Sequence, residues 1–221
     1  MAPDSKPELR RPAAGGALSG VPADRPACRL VVVRHGATAW STAGRHTGRT
    51  DVPLDARGEG QARALAGRLG PHSFSRVLVS PLGRARRTCE LAGFGDRAEV
   101  WPDLAEWDYG GYEGLTSAEI RRDRPGWRLW DDGVPGGERL EDVAARADRV
   151  VAAVRAGVGD VLAFAHGHLL RVVAARWLGL DPAAAGNLQL APAALGVLTW
   201  ERESPALGRW DDDGADPLDE G

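Results

Sequence analysis

The sequence predicts an α/β fold, a three-layer α/β/α sandwich with a mostly parallel central sheet. Short, continuous, β-branched runs such as "RLVVV", "RVLVS" and "DVLAFAH" lack polar alternation, so they read as strands covered on both faces. Segments with helical spacing of apolar residues lie between them. This alternation is the pattern of a parallel sheet whose crossovers are helices.

Each element follows from local chemistry. Residues 1–27 are rich in Pro, Gly, Ala and charge without periodicity, which predicts a disordered leader. The first strand is "RLVVV". Asp55 then caps a helix through "ARGEGQARALAGRLG", with Ala62, Leu65, Ala66 and Leu69 on one face. "RVLVS" is a second strand, and Ser80 and Pro81 predict the cap and first residue of a helix through "LGRARRTCELAG". After a loop-rich middle, Thr116 and Glu119 have capping-box spacing. A longer helix runs through "GERLEDVAARADRVVAAVRAG" with Leu140, Val143, Ala144, Ala147, Val151 and Val154 as its stripe. The buried strand "DVLAFAH", the helix "HLLRVVAARWLGL" and a last strand "LGVLTW" complete the domain over 28–202. From 203 to 221 the chain is acidic and turn-rich, which predicts a flexible tail, with Trp210 either pinning part of it or lying exposed.

Composition narrows the function. A length of 221 residues suits one well-buried domain. A net charge of −3, with no lysine-rich or aromatic-interleaved basic stripe, argues against a nucleic-acid partner. Lys6 is the only lysine among 28 basic residues, so an arginine carries weight only through its position. Cys28 and Cys89 give neither a disulfide framework nor zinc-type spacing. No apolar run reaches membrane-spanning length, and Asp4, Glu8 and Asp24 interrupt the N-terminus, which predicts a cytoplasmic protein with no membrane partner.

The chemistry gathers where strands end. "LVVV" runs into Arg34, His35 and Gly36, and "VLAFA" runs into His166, Gly167 and His168. If the two strands are parallel neighbours, both histidines emerge at one sheet edge, where ligand crevices form. A third strand ends at Ser80, with Arg84 in the first turn of the next helix, whose N-terminus favours an anion. Two arginines, two histidines and a helix end describe a phosphate pocket. A neutral imidazole can attack phosphorus, and arginine forks bind its equatorial oxygens bidentately.

The motifs "RHGATAWS", "GRHTGRTDVPLDARGEGQA", "SPLGRARRT", "AEWDYGGYEGLT" and "AHGHLLR" occur in that order, and through them the chain resembles the histidine phosphatase superfamily over roughly residues 29–200. That family includes phosphoglycerate mutases and many phosphatases, and the nearest resemblance is to actinobacterial broad-specificity acid phosphatases. The resemblance implies a phosphoglycerate mutase-like fold and metal-independent hydrolysis of phosphate monoesters with no cofactor. It makes His35 the phosphorylated nucleophile, Arg34 and Arg84 phosphate ligands, His166 the second pocket histidine and Glu106 the general acid. Asp103, Asp108 and Glu113 are the alternative acids. Ser41, Thr47, Gly48 and Tyr109 would line the substrate side, and Gly167 and His168 could offer backbone donors.

Other readings stay beside these. His46 reads as an exposed loop histidine or a substrate contact and His72 as a surface histidine, and Trp40, Trp107, Trp127 and Trp130 read as packing anchors near a rim or as pocket lining. "RRDRPGWRLW" is a lid or a solvated segment. His35, His166 and His168 have metal-ligand donor type but no carboxylate or thiolate fixed by spacing. The expected partner is a small phosphorylated molecule, a sugar phosphate or phosphorylated carboxylic acid, and a homodimer is left open. A mutase, a sugar bisphosphatase and a non-catalytic phosphate-binding module are the alternatives to a monoesterase.

Overall fold

The computed structural model describes residues 28–214. In chain order they form β1 (Leu30–Arg34), α1 (Ala39–Thr42), α2 (Ala56–Leu69), β2 (Arg76–Val79), α3 (Gly83–Leu91), β3 (Ala98–Val100), α4 (Ser117–Asp123), α5 (Leu129–Asp132), α6 (Leu140–Ala156), β4 (Val161–Ala165), α7 (Gly167–Trp177), β5 (Leu195–Glu201) and β6 (Ser204–Asp212). One six-stranded sheet has the order β3-β2-β4-β1-β5-β6. The first four strands in that order are parallel, while β5 runs antiparallel to β1 and β6 antiparallel to β5.

Alternate residues of the central strands serve two cores, which explains their continuous apolar sequence. Leu30, Val32, Ala163 and Ala165 pack with α6 and α7, whereas Val33, Leu162 and Phe164 pack with α2 and α3. Burying each such Leu, Val or Phe contributes about 1.5–3 kcal/mol. The register sets the site. Arg34 lies opposite Ala165 and Val79 opposite Phe164, so His35, Ser80 and His166 leave three adjacent strands at one edge.

Asp55 caps α2 by accepting from the Gly58 N–H, and Thr116 and Glu119 form the expected capping box of α4. The start of α3 differs from expectation. It begins at Gly83 behind Leu82, because Asp51, from a distant loop, accepts from the Gly83 N–H and so does the capping. Ser80 is engaged elsewhere.

The segment from 203 onward also corrects the expectation, since Ser204–Asp212 is the antiparallel edge strand rather than a loose tail. Its acidic end has partners: Asp212 pairs with Arg68 and Arg209, and Asp211 accepts from the Ala191 N–H. Trp210 lies over Gly196, where an added Cβ would come within 2.7 Å of the indole, and its Nε1–H donates to the Gln189 carbonyl. Trp210→Ala should therefore destabilise the protein by about 2 kcal/mol, less than a fully buried Trp because the ring is part-exposed. A urea midpoint unchanged by the substitution would show that β6 is not a structural part of the domain. The expected leader, residues 1–27, lies outside the described residues, as do 215–221.

Candidate active site

His35 is buried at the end of β1, with its Nδ1 2.8 Å from the Gly36 carbonyl oxygen. A carbonyl only accepts, so Nδ1 carries the proton and Nε2 keeps its lone pair. Close backbone contact fixes this turn. A Cβ on Gly36 would stand 2.4 Å from the Gly58 carbonyl oxygen, and one on Gly58 would stand 2.0 Å from that of Ala37. Both glycines are thus required where "RHGA" crosses the first turn of α2, and Gln61 accepts from the Ala37 N–H beside them.

Carbonyl groups hold the two arginines in place. Arg84 donates through Nη1 to Thr50 and through Nη2 to Thr47 and Gly48, each at 2.9 Å. Arg34 donates through Nη1 to Leu190 at 2.6 Å. The loop that holds Arg84 is itself fastened by Glu113, which accepts from the N–H groups of Gly48 and Thr50. Across from them His166 is fully buried, its ring centroid 5.2 Å from that of His35. Arg34 Nε, Arg84 Nε and His166 Nδ1 are buried with no protein partner. Leaving such groups unpaired costs about 1–3 kcal/mol each, and more when charged. Together they form an anion cradle.

Glu106 accepts from the backbone N–H groups of Trp107, Leu169 and His168 at 2.9, 2.9 and 3.1 Å. Two of these donors are the free amides of the first turn of α7, so that helix end binds a side-chain carboxylate. The His168 amide is therefore not a substrate donor, contrary to expectation. The alternative acids have other partners: Asp103 pairs with Arg149, Asp108 with Arg49, and Glu113 serves the loop. Of these four carboxylates Glu106 alone lines the cavity, which has a volume of about 240 Å³.

The cavity is also lined by Ser41, Arg45, His46, Thr47, Tyr109 and His168. Ser41 Oγ also bonds both backbone groups of Thr38, and Thr47 Oγ donates to the Arg45 carbonyl. Gly48 does not line the cavity, since its N–H and carbonyl hold Glu113 and Arg84, so its role is to position Arg84. His46 is buried, with its ring 4.9 Å from that of Tyr109, rather than on the surface. His72 is exposed as expected. Trp107 and Trp127 are buried, and Trp130 packs edge-on to both Trp107 and His168. The arginines of "RRDRPGWRLW" stay outside the cavity. Arg121 donates to the Trp127 carbonyl, Arg124 to the Tyr112 hydroxyl, and Arg128 pairs with Asp131.

Sequence reasoning missed Arg45, Ser117 and Arg171 as lining residues. For Arg171 a signal existed, because it stands three residues after His168 on one helix face.

Burial keeps the imidazoles neutral. His35 titrates well below the ordinary histidine range through burial and the nearby charges of Arg34 and Arg84. His166 shifts the same way through burial, then Arg84, His35 and Arg34. Burial lowers His46 to about 4, and burial followed by Arg171 depresses His168. Burial and Glu106 push Tyr109 well up, which keeps its hydroxyl protonated beside His168 Nδ1. Among the described residues no group of three or more His, Cys, Asp or Glu could hold a metal ion, and no helix is long and apolar enough to cross a membrane.

A neutral imidazole ringed by arginines at the carboxyl edge of an α/β sheet defines a phosphoryl-transfer protein. The profile of the histidine phosphatase superfamily (branch 1) matches residues 30–213, and the chain belongs to that family, as a phosphatase. It is similar to an acid phosphatase of Mycobacterium tuberculosis, 42% identical over 81% of this chain and 92% of that protein. A sedoheptulose 1,7-bisphosphatase of Saccharomyces cerevisiae is 36% identical over 69% and 68%. The solved structure of a mycobacterial glucosyl-3-phosphoglycerate phosphatase superposes with a TM-score of 0.74, at 32% identity over 85% of this chain and all of that one.

Proposed function

We propose that this enzyme is a metal-independent phosphomonoesterase of acid phosphatase type, acting through phospho-His35 on small sugar phosphates or phosphorylated carboxylic acids. The observation that carries the proposal is the set of three unpartnered buried nitrogens around a neutral, proton-directed imidazole. Arg34, Arg84 and His166 bind the phosphoryl oxygens and stabilise the charge that spreads over them in the transition state. His35 Nε2 attacks phosphorus, a P–N bond forms and the P–O bond to the leaving group breaks. Glu106 gives the departing alkoxide its proton, then takes one from the water that cleaves the P–N bond and releases inorganic phosphate. His35 stays neutral, hence nucleophilic, in mildly acidic solution because its titration lies well below the usual range.

A sugar bisphosphate is the second reading, favoured by Arg45 and Arg171, two further arginines that line the cavity. A mutase must hold its partner over phospho-His35 against water, and Arg121, Arg124 and Arg128 are engaged outside the cavity instead.

The decisive assay is phosphate release from sugar phosphates, phosphoglycerates, nucleotides and an aryl phosphate, with and without EDTA. Hydrolysis of the first two classes that survives EDTA is expected; chelator inactivation reversed by a divalent ion would overturn the mechanism. Glu106→Gln should slow a sugar phosphate on the order of 10²–10⁴-fold and an aryl phosphate far less, since an aryl oxide leaves without a proton. Equal losses on both would move the acid elsewhere.

A further inference from the structure

We infer that Ser80 is a positioning residue that fixes the tautomer of His166: its hydroxyl donates to Nε2, which leaves the ring's proton on Nδ1 to meet the phosphoryl group. The inference rests on the phosphatase reading and adds a residue to its machinery.

Ser80 is fully buried at the end of β2, and its Oγ has two neighbours, the Leu82 N–H at 3.2 Å and His166 Nε2 at 2.7 Å. The Leu82 amide can only donate, so Oγ accepts there and its own proton is left for Nε2. The opposite tautomer would make Oγ accept twice and leave its proton with neither neighbour as acceptor. It would also present a bare lone pair at Nδ1, the buried nitrogen with no protein partner, to the oxygens of an anion. With the proton on Nδ1 every group is paired once phosphate binds. Neutrality is secured by surroundings on every side: Arg34, Arg84 and His35 face the ring, and Arg146 adds to their effect.

The same accounting explains why a serine follows β2 without capping α3. The hydroxyl is committed to His166, and Asp51 supplies the cap. Ser80 touches no reacting atom in this scheme and acts only by orienting the imidazole.

The test is ¹⁵N NMR of the full-length enzyme labelled at histidine, with His166 assigned by the signal lost in His166→Gln. Wild type should show a protonated Nδ1 and an unprotonated Nε2. Ser80→Ala should shift the ring toward the Nε2–H form, weaken inorganic phosphate binding about tenfold, and lower kcat/KM on the order of 10–100-fold, as loss of an orienting partner does. Ser80→Thr, which keeps the hydroxyl, should restore all three. A wild-type proton on Nε2, or Ser80→Ala with unchanged tautomer and phosphate affinity, would overturn the inference. Should Ser80→Ala not fold, the wild-type spectrum decides. An enzyme that hydrolyses no ester yet carries its proton on Nδ1 refutes the phosphatase reading alone, while an active enzyme with the proton on Nε2 refutes only the role of Ser80.

Discussion

His35→Ala is expected to lower kcat at least about 10⁴-fold on every substrate while leaving the protein folded. Without the imidazole there is no acceptor for the phosphoryl group, and water must attack in one step what the enzyme divides into two. Some acceleration survives, because Arg34, Arg84 and His166 still bind and polarise the ester. The fold tolerates the change because the ring's one hydrogen bond is to the Gly36 carbonyl, a net loss of about 1 kcal/mol plus the packing of a small cavity. Arg84→Ala is the poorer experiment, since it would strand the carbonyls of Thr47, Gly48 and Thr50 and confuse misfolding with lost chemistry. Circular dichroism and a cooperative urea transition, its midpoint lowered by no more than that loss, establish the fold. Acid-labile phosphate trapped on a residue other than His35, or turnover within tenfold of wild type, would remove it as the nucleophile.

The cradle was legible because its parts follow from chain-local rules. A buried run ending in Arg34 and His35, and another ending in His166, needed only parallel pairing to meet, and the register supplies it. What could not be read is whatever depends on a partner far along the chain. Glu113 reads as a spare acid, yet it fastens, across 65 positions, the loop whose carbonyls hold Arg84. Asp51 displaces Ser80 as the cap of α3 from 32 positions away. His46 lies among polar loop residues, but Tyr109, Trp127 and His168 close around it only in the fold. The acidic composition after 203 hid β6 because Arg68, in α2, neutralises it across the structure.

The stability of the unliganded enzyme is expected to fall between pH 7.5 and pH 5.5, by up to about 5 kcal/mol. His35, His46, His166 and His168 all titrate below the ordinary range because burial penalises their cations. In the unfolded chain each has a pKa of about 6.5. Above that value neither state is protonated and stability is flat. Below it the unfolded chain binds up to four more protons than the native one, so the unfolding free energy drops as pH falls, at up to about 1.4 kcal/mol per unit per histidine. The window runs from about pH 6.5 downward, and for His46 it closes near its folded value of about 4. Carboxylates titrate mostly below about pH 5 and contribute little to this interval. A total near 5 kcal/mol is a third or more of the 5–15 kcal/mol typical of a domain. The histidines that make the site neutral and nucleophilic therefore make the empty enzyme acid-sensitive. Phosphate should offset much of this loss, since a ligand at about 100 times its Kd adds about 2.7 kcal/mol to the native state. Urea titrations at pH 7.5, 6.5 and 5.5, with and without saturating phosphate, measure both effects. His46→Gln should remove about a quarter of the pH dependence, having one fewer site to protonate. A free energy that stays level to pH 5.5 without phosphate would mean that these rings gain protons in the folded state as readily as in the unfolded one, and would dismantle the argument for a neutral His35.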